Sequence, residues 1–281
     1  MPIWSQPVRL IQHLLTPGER RMETLQQWPS AKLGRGVDID VYLPPEYDRT
    51  HYRHYPLVLF NDGQDLPRAD FNTVLKALDL SQLTRHFVAV GIHTCADRIR
   101  EYGTAHTADY KGRGDRAGVY RDFILEELLP YLRAHYRLSE RPEDNIFAGF
   151  SLGGLSAIDI AWAHPEVFGG AGVFSGSFWW RSVPVDPADP DGGRIFHELV
   201  QHTPARPADQ RFWFQCGTLD EAEDRNNNGV IDAIDDTLHL IEILRQRGYG
   251  DDRIRYYEVE GGEHNPETWG PAMPDFFRWT L

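Results

Sequence analysis

The sequence predicts an α/β protein in which a mostly parallel, doubly wound sheet of about eight strands has helices on both faces. Short apolar runs rich in β-branched and aromatic residues alternate with stretches of 3.6-residue periodicity. The later runs are apolar on both faces, which is typical of parallel strands covered by helices. Because strand and helix alternate, right-handed crossovers and an open sheet are expected.

The predicted elements follow one another along the whole chain. The early segment "VRLIQHLL" and the run at 37–45 have an alternating pattern that predicts an antiparallel edge. The remaining strands are predicted at 55–63, 87–94, 145–151, 169–177, 211–218 and 254–262. Helices are predicted at 71–84, 120–136, 152–165, 236–248 and 271–281. The segments 95–117 and 181–210 follow strands that end at the functional edge, so we expect pocket loops or a partial lid there.

The size and charge of the chain restrict its class. The 281 residues suit one domain, 1–281, and the net charge of −13 disfavours nucleic acid or an anionic membrane as a partner. No window approaches the 18 apolar residues of a membrane span. The two cysteines are too few for a disulfide framework, and the N-terminal stretch lacks a basic region followed by an uninterrupted apolar one. The sequence therefore predicts a cytoplasmic protein that acts on a small molecule.

A nucleophile is predicted where "IFAGFSLGGLSA" joins a strand to a helix. Gly149, Ser151 and Gly153 form a G-x-S-x-G pattern at this junction. A serine in such a turn sits in strained backbone that needs flanking glycines, and its hydroxyl points out at the edge of the sheet. The following helix N-terminus offers free N–H groups to a developing oxyanion, with the Leu152 amide as the first donor. A glycine-rich turn with a capping serine is the structural alternative.

A serine nucleophile needs a base, and the base needs an acid that orients it. In open α/β sheets the chain order is serine, acid, histidine, so His264, after the last predicted strand, is the expected base. Asp220, three residues beyond Gly217, is the expected acid. Glu221 and Asp224 are the alternatives for that role. His93 precedes the serine and is assigned to the substrate-binding pocket rim or to ordinary hydrogen bonding.

The stretch "DRNNNGVIDAID" at 224–235 matches a twelve-residue, EF-hand-like calcium loop. Gly229 stands at the position of the sharp turn. The predicted ligands are Asp224, Asn226, Asn228, the Val230 carbonyl, Asp232 and Asp235. Oxygen ligands without Cys or His favour Ca²⁺ in a structural role, and Asp235 in place of a longer Glu also admits Mg²⁺. A polar turn in which Asp235 caps the next helix is the alternative; no organic cofactor is expected.

Several of these pieces together resemble an esterase family within the α/β-hydrolase superfamily. The family includes enterochelin esterases, feruloyl and acetylxylan esterases and S-formylglutathione hydrolases. The pieces that carry the resemblance are "PLVLFNDGQD", "RIREYGTA", "YRDFILEELLPYLRAHYRL", "AGFSLGGLSA", "FSGSFWW", "CGTLDE" and "EGGEHNPETW". The resemblance implies an α/β-hydrolase fold, with Ser151 as nucleophile, His264 as base and Asp220 as acid. It also implies a second oxyanion donor after the strand "LVLF", the Gln64 amide. The calcium-type loop and the segment 181–210 depart from the family pattern.

The expected function is a serine hydrolase that cleaves carboxylic esters through an acyl-enzyme on Ser151. Phe178, Trp179 and Trp180 lie just beyond a strand end and are expected to form a substrate-binding wall that suits aromatic or sugar-linked esters, unless one or two of them belong to the core. Acyl transfer and hydrolysis of a siderophore or peptide ester are alternatives within the enzyme class. A noncatalytic, calcium-stabilised binding module is the alternative outside it.

Overall fold

The structure, a computed structural model, describes residues 9–13, 20–49, 51–204 and 209–281. Parts of two predicted segments lie outside the described residues, namely residues 8, 14 and 15 of the early edge and residues 205–208 of the segment 181–210. Most of the N-terminal stretch on which the cytoplasmic prediction depends lies outside them as well.

Nine strands within the described residues join one sheet in the order β1-β2-β3-β5-β4-β6-β7-β8-β9. The first three pairings are antiparallel and the other five are parallel. The strands are β1 (Arg9–His13), β2 (Arg21–Ser30), β3 (Arg35–Leu43), β4 (Leu57–Asn61), β5 (Val88–Ile92), β6 (Asn145–Phe150), β7 (Gly170–Phe174), β8 (Arg211–Leu219) and β9 (Ile254–Glu263). The mostly parallel, doubly wound sheet is thereby confirmed. The additional strand is β2, which the sequence pattern does not predict.

The longer helices lie where the periodicity predicts them, and two short helices are additional, one in the segment 95–117 and one in the segment 181–210. They are α1 (Phe71–Ser81), α2 (Arg98–Glu101), α3 (Ala117–Asp122), α4 (Leu129–His135), α5 (Leu152–Ala163), α6 (Ile195–His202), α7 (Asp232–Gln246) and α8 (Pro266–Thr280). A π-helical segment, Phe123–Leu128, joins α3 to α4. Helix α6 lies inside the segment that is predicted as a pocket loop. The sequence pattern does not predict this helix because its apolar face spans only eight residues. No helix among the described residues is long and apolar enough to cross a membrane.

The central strands are buried on both faces, and this fixes where the chain can place polar groups. On β4, Leu57 and Leu59 join the core beneath α3 to α7, whereas Val58 and Phe60 join the core beneath α1 and α8. Every residue of β4, β6 and β7 is buried. Side chains that could reach a ligand must therefore stand in the loops beyond the carboxyl ends of these strands.

Candidate active site

Ser151 occupies the sharp turn between β6 and α5. Its backbone has φ 54° and ψ −123°, a positive φ that non-glycine residues rarely adopt. A Cβ atom on Gly149 would lie 2.5 Å from the backbone carbonyl of Gly153, and one on Gly153 would lie 2.5 Å from Oδ2 of Asp62. The two flanking glycines are thus required by close packing at the turn. The strained turn holds the serine at the carboxyl edge of the sheet.

The hydroxyl of Ser151 lies beside a second serine that the sequence analysis did not single out. Ser151 Oγ is 3.2 Å from Ser177 Oγ, and the Ser177 amide donates to the Ser151 carbonyl at 3.2 Å. Among the described side chains, Ser177 is the hydrogen-bond partner of the Ser151 hydroxyl, and His264 is not within hydrogen-bonding distance of it. Ser177 could have been found from the sequence only by its position just beyond the end of β7, at the same sheet edge as Ser151.

Asp220 and His264 approach each other at the same edge. Nδ1 of His264 lies 3.9 Å from Oδ1 of Asp220, whose side chain is excluded from solvent. The carboxylate accepts hydrogen bonds from the Gly217 amide at 3.0 Å and from the Ser175 hydroxyl at 3.0 Å. Within the described residues, Asp220 is the one carboxylate within 4 Å of the His264 ring nitrogens. The structure therefore brings together the predicted acid and the predicted base.

Local sequence explains how His264 is held. It stands between the end of β9 and the first residues of α8, and the side chain of Asn265 caps that helix by accepting from the Thr268 amide at 3.0 Å. One turn further on, the rings of Trp269 and His264 pack in a T-shaped arrangement, with centroids 5.4 Å apart and planes at 83°. The capped helix start thereby fixes both the histidine and the tryptophan that supports it.

Burial and charge act on the acid–base pair in opposite directions. Desolvation lowers the pKa of His264 although 39% of its side chain is exposed; the Asp220 carboxylate opposes this shift and the Arg98 cation adds to it. Desolvation raises the pKa of Asp220, and the hydrogen bonds from Gly217 and Ser175 together with the charge of His264 oppose that shift. A histidine with a lowered pKa is neutral at pH 7, as a general base must be.

The two alternative acids have other partners. Burial raises the pKa of Glu221 to about 7, a backbone hydrogen bond from Ala233 opposes that shift, and among the described residues the ion pair of His264 is with Asp220 instead. The carboxylate of Asp224 accepts from the amides of Asn228 at 3.0 Å and Gly229 at 2.9 Å, inside the 224–235 loop. Position thus favours Asp220 over both.

The predicted oxyanion donors stand at the ends of adjacent strands. Leu152 is the first residue of α5, and Gln64 lies in the short 3₁₀ turn after β4, the strand paired with β6. Neither backbone amide donates to a protein acceptor among the described residues. The side chain of Asn61 ties the two loops together by donating to the Gly153 carbonyl at 2.7 Å. Both amides are therefore free to donate to a ligand.

The predicted substrate-binding residues differ in exposure. Phe178 and Trp180 are buried in the core, whereas Trp179 is 36% exposed and Arg113 stacks over its ring at 5.1 Å. Of the three residues, only Trp179 is exposed enough to contact a ligand. Phe178 and Trp180 belong to the core, as the alternative interpretation expects. His93 Nε2 lies 2.8 Å from Oδ2 of Asp40 on β3. This contact fits the prediction that His93 makes ordinary hydrogen bonds.

The predicted calcium ligands gather on one loop. Asn226 and Asn228 both reach Asp235 through their amide groups, at 3.0 and 3.2 Å, so ligand positions at the start and the end of the loop converge. Arg225, in contrast, donates its amide to Asp232 at 3.0 Å and pairs its guanidinium with the same carboxylate. No group of three or more His, Cys, Asp or Glu side chains in the described part of the chain is arranged to hold a metal ion. In this arrangement the loop is closed by its own contacts, because Asn226 and Asn228 present N–H groups to Asp235 and Arg225 presents its cation to Asp232.

A separate cavity of about 600 Å³ lies between α1 and the strands β2 and β3. It is lined by residues such as Met22, Tyr42, Leu75 and Lys76, and none of the predicted site residues lines it. The cavity therefore belongs to a different part of the sheet from Ser151.

The mostly parallel sheet has an antiparallel edge, a sharp strand-to-helix turn after β6, and Asp220 and His264 after β8 and β9. These features define an α/β-hydrolase fold. A family model described as "Putative esterase" matches residues 30–280. The chain belongs to this esterase family, and it is a carboxylic ester hydrolase by that membership.

Individual relatives match this chain over most of its length. The "Uncharacterized protein YbbA" of Bacillus subtilis is 22% identical over 243 residues, covering 85% of this chain and 90% of the relative. The structure of a ferulic acid esterase superposes with a TM-score of 0.71 at 17% identity, covering 94% of this chain and 98% of that one. The enterobactin esterase of Shigella flexneri gives a TM-score of 0.70 at 20% identity, and the match covers 95% of this chain but 62% of that protein. At such identities the two solved structures show the fold.

Proposed function

We propose that this protein is a serine hydrolase that cleaves carboxylic esters through an acyl-enzyme on Ser151. The observation that carries the proposal is the strained turn at Ser151 on the sheet edge where Asp220 and His264 approach each other. A strand-to-helix turn of this kind presents the serine hydroxyl, and the acid–base pair supplies what a serine needs in order to react.

Proton transfer in this mechanism uses the two ring nitrogens of His264 differently. Nδ1 faces Asp220, so Nε2 is left to accept the proton of Ser151 as Oγ bonds to the ester carbonyl carbon. The same proton then goes to the departing alcohol as the ester bond breaks. Water repeats the sequence on the acyl-enzyme, giving the acid and restoring the serine. Asp220 holds the imidazole in the required tautomer and stabilises its positive charge.

The nucleophile must turn toward its base during this reaction. Its hydroxyl contacts Ser177 in the structure, and rotation about one side-chain bond carries Oγ from one staggered position to another. The amides of Leu152 and Gln64 would then donate to the negative oxygen of the tetrahedral intermediate. Apo structures often show catalytic hydrogen bonds that are long or unformed, and substrate binding tightens them.

We propose a small-molecule ester with an aromatic ring as the substrate class. The support is Trp179, an exposed aromatic side chain beside the cation of Arg113, which suits stacking of a planar group. Two relatives carry the names ferulic acid esterase and enterobactin esterase. A panel of feruloyl, catechoyl and acetyl esters measures this preference. Replacing Trp179 with Ala should raise KM for the aromatic esters and leave acetyl esters unchanged, whereas Tyr52→Ala, which removes another exposed aromatic, should change neither.

The 224–235 loop has its own proposed role. We propose that it binds Ca²⁺ through Asp224, Asn226, Asn228, the Val230 carbonyl, Asp232 and Asp235, and that the ion is structural. The support is the match to the spacing of a calcium loop and the convergence of Asn226 and Asn228 on Asp235. A bound cation would brace the connection between β8, which leads to Asp220, and α7.

Hydrolysis of short-chain p-nitrophenyl esters tests the proposed chemistry. Ser151→Ala should reduce turnover to the background rate, and Ser81→Ala, which deletes a hydroxyl at the far end of α1, should leave it at the wild-type level. Equal turnover of wild type and Ser151→Ala would exclude the proposed nucleophile.

A further inference from the structure

We infer that Ser175 and Trp269 form a chain of hydrogen-bond donors that positions Asp220 for His264. The inference rests on the proposed function, since it assigns work to residues that support the acid of that site. Neither residue touches the reacting atoms, so both are positioning residues.

The direction of the chain follows from what each group can donate. The indole Nε1 of Trp269 can only donate, and it does so to Ser175 Oγ at 2.9 Å. That bond occupies a lone pair of the hydroxyl and leaves its proton for Asp220 Oδ1, 3.0 Å away. Oδ1 is also the carboxylate oxygen that lies 3.9 Å from His264 Nδ1. The chain therefore ends on the atom that faces the base.

The carboxylate is fixed by donors at both oxygens. The Gly217 amide donates to Oδ2 at 3.0 Å while Ser175 donates to Oδ1, so rotation of the carboxyl group would break one bond or the other. Ser175 is 1% exposed and Trp269 is 6% exposed. Hydrogen bonds in such a dry environment are electrostatically stronger than in water, and an unpaired carboxylate there is costly.

The ring of Trp269 also packs against two residues of the site, independently of its N–H group. Its indole stacks on Phe150, the residue before the nucleophile, at 4.7 Å and 8°, and it packs in a T-shaped arrangement with the His264 ring at 5.4 Å. The donor atom and the ring can be separated by mutation, because Trp269→Phe removes Nε1 and keeps an aromatic ring. This variant removes the donor and keeps an aromatic ring on Phe150, but it also loses part of the indole volume, so it needs a Trp→Phe control elsewhere in the core.

The donor chain also bears on the pH response. The hydrogen bond from Ser175 stabilises ionised Asp220 and so lowers the pKa of that carboxyl, against the effect of burial. The other charged or titratable groups that act on the pair are Arg98, beside His264, and buried Cys216 on β8. Loss of the Ser175 bond should therefore raise the pKa of the Asp220 carboxyl. Because the active form needs an ionised Asp220 beside a neutral His264, the acidic limb should then move to higher pH.

Ser175→Ala in the full chain is the first test. We expect kcat for a p-nitrophenyl ester to fall about 10- to 100-fold, as for loss of a hydrogen bond to a charged group, with KM within about twofold. The acidic limb of the kcat/KM profile should move to higher pH. Trp269→Phe should produce smaller changes in the same directions.

Matched controls exist elsewhere in the chain. Ser139→Ala removes a serine hydroxyl that donates to the carboxylate of Asp144 at 2.7 Å, and Trp213→Phe removes an indole N–H that donates to Asp275 at 2.9 Å. Both make the same chemical change away from the site, so both should retain the wild-type kcat and pH profile.

A mutant cycle decides between positioning and general structure. In an Asp220→Asn background, Ser175→Ala should cause no further fall in kcat, because the group it positions is already lost. The inference would be overturned if Ser175→Ala left both kcat and the acidic limb unchanged. It would also be overturned if Ser175→Ala lowered kcat as much in the Asp220→Asn background as in the wild type. If Ser175→Ala fails to fold, Trp269→Phe carries the same comparisons. Full turnover in Ser151→Ala would instead refute the proposed function, so the two failures are distinguishable.

Discussion

His264 Nδ1 lies 3.9 Å from Asp220 Oδ1, and these two residues are brought together from the ends of neighbouring parallel strands β8 and β9. The aspartate side chain is excluded from solvent, whereas the histidine is 39% exposed. Because the aspartate lies buried beneath a partly exposed histidine, the outer ring nitrogen of His264 is available to the proposed nucleophile and to a substrate.

Asp220→Asn should lower kcat for ester hydrolysis by about 10²- to 10⁴-fold while the fold is retained, because an amide at this position favours the wrong tautomer of His264. Steady-state kinetics and circular dichroism measure the two parts of this prediction. Glu221→Gln and Asp224→Asn are the controls and should keep most of the activity. A large loss in either of them, with Asp220→Asn active, would transfer the role of the acid to that residue.

The pH profile should reflect the neutral form of His264. Burial lowers the pKa of this histidine, so activity should persist below the ordinary histidine range and disappear as the pH falls through the lowered pKa. Arg98 adds to the lowering, so Arg98→Gln should move the acidic limb to higher pH, and Arg98→Lys, which keeps a cation, should move it less. The measurement is kcat/KM from pH 4 to 9. A limb that shifts equally in both variants would contradict the electrostatic explanation.

Calcium should stabilise the protein through the 224–235 loop. A ligand at 100 times its dissociation constant contributes about 2.7 kcal/mol, which corresponds to an increase in Tm of roughly 5–10 °C for a chain of this size. The comparison is thermal unfolding in EDTA and after Ca²⁺ is restored. Asp224→Ala should remove the difference, and Asp251→Ala, an exposed carboxylate on another loop, should preserve it. Identical Tm values with and without Ca²⁺ in the wild type would exclude an ion at this loop.

The sequence allowed prediction of the elements that are buried or strongly periodic. Strands β4, β6 and β7 are mostly apolar and fully buried, and the turn at Ser151 is flanked by glycines that its close packing requires. Strand β2 was missed because "RMETLQQWPS" places polar Glu23 and Ser30 on its buried side and has a bulge between Leu25 and Trp28, both of which interrupt the alternating pattern. Helix α6 was missed because its eight residues follow a long irregular segment.

The supporting groups of the site could not be found from the sequence. Ser175 and Asp220 are separated by 45 positions, and Ser175 and Trp269 by 94, so no local pattern connects them. Burial of Phe178 and Trp180 also depends on distant partners. The rings of Phe196 and Phe214 pack against the first, and Gly103 and Gly114 approach the second. Such contacts depend on the order of the strands in the sheet. The spacing of residues along the chain does not predict that order.

The central claim is that Ser151 forms an acyl-enzyme, and rapid-quench mass spectrometry of the intact protein during hydrolysis of a p-nitrophenyl ester tests it most directly. The predicted result is a species heavier by one acyl group, formed with a burst of p-nitrophenol, with the acyl group on the peptide that contains Ser151. Ser151→Ala should show neither the adduct nor the burst. An adduct on another residue, or full turnover by Ser151→Ala, would contradict the account.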